Sequence, residues 1–151
     1  MVLSQQTVGY TTGVFDLFHI GHVNVLRNAR SLCDRLVVGV TVDELVLYKN
    51  KRAVVPFDER IEIVRACKYV DLAVPQQSMD KLDAWQRYKF NVMFVGDDWY
   101  QNERWKALDA QFAERGVRIV YFPYTKTTSS TLINQTLERL RSAHAPVMAA
   151  A

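Results

Sequence analysis

Three histidines occur in 151 residues, and two of them, His19 and His22, lie three positions apart. They close the run Gly13-Val14-Phe15-Asp16-Leu17-Phe18-His19-Ile20-Gly21-His22. A β-prone stretch, Thr7 to Thr11, precedes this run and helical spacing follows it, so it reads as a strand-to-helix loop. Residues three apart on a first helical turn share a face, which puts both imidazoles on one side. Gly21 between them is read as room for a ligand to approach the backbone. A helix N-terminus adds unpaired N–H groups and the positive end of its dipole. The chemistry predicted is phosphate binding, reinforced by imidazole donors. The alternatives are two surface histidines beside a cap, or a zinc pair. Zinc pairs on helices favour i, i+4 spacing, and no third Cys or His stands nearby.

Other residue groups point the same way. Lys49, Lys51 and Arg52 lie in a polar, basic stretch. They are either a solvated loop or cations for a phosphate chain. Asp97 and Asp98 are hard carboxylates that suit Mg²⁺, hold a ribose or substrate hydroxyl, or cap the next turn. Trp99 is placed to line a site, whereas Trp85 and Trp105 read as core or rim aromatics. The run Thr125-Lys126-Thr127-Thr128-Ser129-Ser130-Thr131 opens the last amphipathic segment. Its hydroxyls suit an N-cap and a second phosphate-binding helix start.

Short apolar runs alternating with amphipathic segments must position these groups. The predicted strands are Thr7 to Thr11, Leu36 to Val42, Asp71 to Val74, Val92 to Val95 and Val117 to Phe122. The run Leu36-Val37-Val38-Gly39-Val40-Thr41-Val42 reads as a strand covered on both faces. Helices are predicted from Ile20 to Cys33, from Pro56 in a first turn through Cys67, from Met79 to Phe90, from Glu103 to Arg115, and from Ser129 to Arg141. Gly116 is read as a C′ residue. Asp43 to Val55 is read as a loop. Five strands alternating with five helices predict an α/β fold: a doubly wound, five-stranded parallel sheet. Ligands in such sheets bind beyond the carboxyl ends of the strands, where strand order reverses. The loops to inspect are those near Gly13, Asp43, Gly96 and Pro123.

Composition sets the outer limits. Apolar residues make up 49% and charged residues 23%, an ordinary globular balance. One domain over residues 1–141 is expected, with residues 142–151 a frayed tail. The net charge of +3 suits an anionic small ligand and is too diffuse for a nucleic-acid stripe. Two cysteines without a CxxC exclude a disulfide framework or zinc ribbon and favour a reducing, cytoplasmic setting. No run of about 18 apolar residues and no signal peptide is recognised, so no membrane partner is expected.

The pattern Gly-x-Phe-Asp-x-x-His-x-Gly-His after a first strand resembles the HxGH signature of the nucleotidyltransferase superfamily. Within it the chain is most similar to bacterial glycerol-3-phosphate cytidylyltransferases, over roughly Val8 to Leu137. The similarity takes in the strand ending Thr41-Val42-Asp43-Glu44, Phe57-Asp58-Glu59-Arg60, Tyr69-Val70-Asp71 and Val95-Gly96-Asp97-Asp98-Trp99. The resemblance implies a Rossmann-like nucleotidyltransferase fold. It implies catalytic roles for His19, His22 and Lys49. It implies nucleotide binding by Thr12, Gly13, Val14, Phe15, Asp16 and Gly21, by Lys51, and by Thr125, Ser129, Ser130 and Thr131. It implies substrate contacts from Arg60, Asp71, Asp97, Asp98 and Trp99. Three positions depart from the family pattern: Tyr124 stands for an arginine, Lys68 for another, and Asn134 for a Lys or Arg. Lys126 is the nearest compensating cation.

The activity implied is transfer of CMP from CTP to an alcohol phosphate, releasing pyrophosphate, in a soluble homodimer. Glycerol 3-phosphate or a similar polyol phosphate is the acceptor, as for a cell-envelope polymer precursor. Mg²⁺ is expected as cofactor, held mainly by the triphosphate. Two alternatives share the fold: an adenylyltransferase making FAD or dephospho-coenzyme A, and a nucleotide-binding regulator with weakened catalysis. A tRNA synthetase is not expected, since 151 residues are too few for its further domains.

Overall fold

The computed structural model describes residues 4–48, 50–97, 100 and 102–144. In chain order the elements are β1 (Val8–Gly13), α1 (Ile20–Ser31), β2 (Arg35–Thr41), α2 (Asp43–Tyr48), α3 (Phe57–Ala66) and β3 (Leu72–Gln76). They continue with α4 (Lys81–Tyr88), β4 (Val92–Gly96), α5 (Glu103–Ala113), β5 (Arg118–Phe122) and α6 (Ser130–Ala143). All five strands are parallel, in the order β3-β2-β1-β4-β5. The chain moves outward from β1 to β3, then returns to lay β4 on the other side of β1. Strand order therefore reverses between β1 and β4, and that is where a ligand crevice belongs.

Period-2 alternation sends successive side chains of each strand to opposite faces. Leu36, Val38, Val40, Val92 and Phe94 pack with Leu26 and Ala29 of α1 and with Ile61 and Val64 of α3. Tyr10, Val37 and Met93 point to the other face, where Leu82, Trp85, Trp105, Leu108 and Phe112 of α4 and α5 cover them. Both faces are covered, as the unbroken apolar run of β2 requires. The expected doubly wound α/β fold is observed.

The differences are local. The stretch from Asp43 to Val55 is not all loop, since Asp43–Tyr48 forms α2 with Asp43 and Glu44 in its first turn. A six-residue helix is too short to leave a periodic signature. Pro56 is the N-cap of α3 (φ −64°, ψ 154°), one position before the expected first turn. Pro75 sits in β3 at the sheet edge, where a missing N–H is tolerated. Gly116 has φ +72°, and Val117 N–H reaches back to Phe112 O at 2.9 Å, closing α5 as expected. α6 runs to Ala143, two residues beyond its expected end at Arg141. Among the described residues, no helix is long and apolar enough to cross a membrane.

Candidate active site

The start of α1 is capped by its own two histidines. His19 is the N-cap, in extended conformation, and its Nδ1 accepts the Gly21 N–H at 3.0 Å. His22 Nδ1 accepts the His19 N–H at 3.2 Å. A nitrogen that accepts carries no proton, so each ring is assigned its proton on Nε2. Burial pulls both groups below the ordinary histidine value. For His22 burial acts first and the neighbouring His19 second, against a smaller opposing effect of Asp16, and it falls to about 4. At neutral pH both imidazoles are therefore neutral Nε2–H donors, held at the positive end of a helix.

Packing fixes them there. The His22 ring lies 3.9 Å from that of His19, 5.3 Å from Phe15 and 5.4 Å from Phe18, centroid to centroid. A Cβ on Gly21 would come within 2.7 Å of His19 Cε1. Gly21 is thus required by the capping ring, whereas the expectation was an approaching ligand. The loop before α1 is strained, with Phe15 at φ 55° and Leu17 at φ 50°. Left-handed backbone at such bulky residues costs roughly 1–3 kcal/mol each and persists only where the surroundings enforce it.

Asp16 and Arg60 do the enforcing. The Asp16 carboxylate accepts N–H groups from Val54 (2.8 Å) and Val55 (2.9 Å), tying the basic loop to the loop before α1. Arg60 is completely buried. Its guanidinium donates to Val55 O (2.8 Å), Val14 O (2.6 Å), Thr41 O (2.8 Å) and Asp43 Oδ1 (2.6 Å). It gathers the ends of β1 and β2 and the start of α3. The expected substrate contact from Arg60 is not what this geometry provides, because the guanidinium is engaged with the protein.

α6 brings a second helix start alongside the first. Ser129 Oγ accepts the Leu132 N–H at 3.1 Å. Ser130 Oγ donates to Asp16 O, and Thr125 Oγ1 accepts from Asn24 Nδ2 at 3.0 Å. A cleft of about 1160 Å³ opens here. Its floor is the carboxyl ends of β1 and β4, and its walls are the basic loop and the first turns of α1, α4 and α6, with a side of α5. The switch-point expectation is met.

Thr12, Gly13, Val14, Phe15, Asp16, His22, Lys51, Ser130 and Thr131 line this cleft. His19, Gly21, Thr125 and Ser129 frame it through the bonds above. Asp97 follows the end of β4, exposed, with its carbonyl accepting the Tyr100 N–H. Asp71 is not brought to the cleft. It lies at the amino end of β3, where its carboxylate accepts the Leu36 N–H at 2.7 Å and pairs with Arg30 at 2.9 Å. Its work is to join β2, β3 and α1 at the opposite end of the sheet. Lys49, Asp98 and Trp99 lie outside the described residues.

Arg52, read as either a solvated residue or a phosphate cation, is on the wall. Trp105, read as core or rim, is also there, and Gln76, Lys81 and Arg104 were missed in the sequence. The available signal for Lys81 was positional: it opens the helix that follows a parallel strand, and such helix starts face the ligand crevice. Tyr124 and Asn134, two departures from the family pattern, also line the cleft, whereas Lys126 does not. The third, Lys68, has its ammonium over the Tyr69 ring at 5.2 Å. Among the described residues no cluster of three His, Cys, Asp or Glu side chains could hold a metal ion. The donor set suits a metal that arrives with a phosphate chain.

The chain belongs to the cytidylyltransferase-like family, which matches residues 10–137. It is 33% identical over 135 residues to a glycerol-3-phosphate cytidylyltransferase of Bacillus subtilis, covering 86% of this chain and 96% of that one. It is 38% identical over 106 residues to an FAD synthase of Methanothrix thermoacetophila, covering 70% and 72%. Among solved structures, a lipopolysaccharide core biosynthesis protein of Thermoplasma volcanium superposes with a TM-score of 0.68 at 23% identity. That match covers 82% of this chain and 100% of the other, and it confirms the fold.

Proposed function

We propose that the protein transfers CMP from CTP, as its magnesium complex, to an alcohol phosphate such as glycerol 3-phosphate. The observation that carries this is the convergence of two helix N-termini and the His22 Nε2–H on one cleft at the switch point. A phosphomonoester has its second pKa near 6, so the acceptor oxygen is already ionised at neutral pH and needs no general base. That oxygen bonds the α-phosphorus. The bond from this phosphorus to the oxygen bridging to the β-phosphate breaks, and its electron pair leaves with pyrophosphate. The His22 donor, Lys51 and the helix N-termini stabilise the charge gathering on the α-phosphate and on pyrophosphate. Relatives named glycerol-3-phosphate cytidylyltransferase over most of their length support the base and the acceptor.

The FAD synthase relatives favour one second reading, an adenylyltransferase acting on FMN. Pyrophosphate release separates the two, measured with CTP and with ATP against glycerol 3-phosphate, other alcohol phosphates and FMN. Turnover with CTP and an alcohol phosphate is expected. A clear preference for ATP overturns the proposal, and CTP binding without turnover on any acceptor supports a regulator. The resemblance extends the proposal to a homodimer, which light scattering on the purified chain checks.

A further inference from the structure

The stretch leading from β5 into α6 is held at two points. Ser130, the first residue of α6, donates from Oγ to Asp16 O. Thr125 Oγ1, five residues earlier, accepts from Asn24 Nδ2 at 3.0 Å. Between the two points the chain lies against the first turn of α1, since a Cβ on Gly21 would stand 3.5 Å from Thr128 O. α6 has no buried residue, so polar contacts such as these position its start. Asn24 acts from the second turn of α1, and its amide is itself fixed. Arg27, three residues on and on the same face, donates to Asn24 Oδ1 at 3.1 Å and to the Tyr69 hydroxyl at 3.2 Å. A guanidinium only donates, so the amide atom against it is the oxygen, and the NH2 group is turned to Thr125.

A hydroxyl has one hydrogen to donate and two lone pairs that accept. At Thr125 the Asn24 N–H takes a lone pair, which leaves the hydrogen for a second partner. Among the described residues no group accepts it. Tyr124 before it and Ser130 and Thr131 after it line the cleft. We infer that Asn24 is a positioning residue for the nucleotide: by filling the acceptor side of the Thr125 hydroxyl, it turns that hydrogen toward the phosphate chain. This rests on the transfer proposed above and on the Thr125 contact that the resemblance implies. A side chain offering only oxygen at position 24 would draw the same hydrogen inward, and the phosphates would meet lone pairs. Asn24 thereby acts on CTP through Thr125 and leaves the acceptor alone.

A double-mutant cycle tests it, with Asn24→Ala, Thr125→Val and the pair assayed for pyrophosphate release with CTP and glycerol 3-phosphate. Asn24→Ala should raise the CTP KM about 3- to 10-fold, the usual size of losing one neutral hydrogen bond. The acceptor KM should stay within about twofold, a split that a merely structural role would not produce. In the Thr125→Val background, Asn24→Ala should have no further effect. Asn24→Asp, which keeps the shape and loses the donor, should also raise the CTP KM. Effects that multiply in the pair, an equal rise in the acceptor KM, or a wild-type CTP KM in Asn24→Ala or Asn24→Asp overturns the assignment. Melting of each variant checks the fold, and Thr125→Ala replaces the valine variant if that one does not fold. Failure of the transfer proposal is distinguishable, because the wild type would then release no pyrophosphate with any alcohol phosphate. In that case the same cycle is closed by calorimetry, with CTP titrated into the wild type and the three variants. A shared loss of affinity that does not add upholds the assignment. Independent losses, or no binding by the wild type, overturn it.

Discussion

His19 and His22 each use one ring nitrogen to cap α1 and keep the other as a donor, so structure and chemistry share a side chain. For His22 the two uses separate on mutation. His22→Ala removes a preorganised donor on the developing charge, and kcat should fall at least about 10²-fold. Steady-state pyrophosphate release measures it, and an unchanged turnover would remove His22 from the mechanism. The same ring gives the fold a pH dependence. Its value in the folded chain is about 4, against about 6.5 unfolded, so the unfolded chain binds more protons between those limits. Stability contributed by the neutral ring is present above pH 6.5 and lost as pH falls toward 4. Protonating Nδ1 also sets an N–H against the His19 N–H, which breaks the cap. Urea midpoints taken between pH 4 and 7 should fall with pH in the wild type, and less steeply in His22→Asn. Equal slopes would mean that another group controls the acid limb. Histidine spacing placed both imidazoles at one helix start, where the fold has them. What it hid is that the glycine between them makes way for a ring, because a residue's close neighbours in space are not printed in the chain.

Loops here are positioned by buried polar groups more than by their own turn chemistry. Arg60 illustrates it: backbone carbonyls from two loops and the end of β2 converge on one guanidinium. Arg60→Met should cost about 3–5 kcal/mol, since it leaves those three carbonyls without their donor. Arg60→Lys should recover little, because a single ammonium cannot span the fork. Thermal melting reads both, and a loss below about 1 kcal/mol for the methionine variant would contradict the clamp, given the usual surface-substitution range. The elements themselves were largely legible, since β-branched runs and helical spacing are local properties. α2 was not, being too short to repeat. The role of Arg60 was not, because a charged residue in an FDER segment looks equally suited to a ligand. Asp71 was assigned to the site from its motif, although a residue just before a parallel strand falls at the end of the sheet away from the crevice.

Across the whole molecule, stability and function occupy different layers. The two apolar clusters bury the sheet on both faces, whereas α6 has no buried residue. The first turn of α6 nevertheless forms a wall of the cleft, attached by polar contacts from Ser130 and the preceding Thr125. The alternating pattern predicted the doubly wound sheet and its crevice, and for Lys81 it offered only a position, the start of a helix after a parallel strand. Its bond to Thr12 Oγ1 at the end of β1 is a contact that only the folded chain displays. Few buried contacts mean that α6 opens at low free energy, while β1, β2 and β4 open only with the global transition. CTP binding should therefore protect the two ends of α6 unequally. At about 100 times its Kd, CTP should stabilise the fold by about 2.7 kcal/mol. Hydrogen exchange should slow most over Ser130 to Asn134, which touch the cleft, and little over the last turn near Arg141. ATP at the same concentration should protect less if the cleft selects cytosine. Uniform protection along α6, or none while the Gly13 to His22 loop slows, would show that the second helix start takes no part in holding the nucleotide.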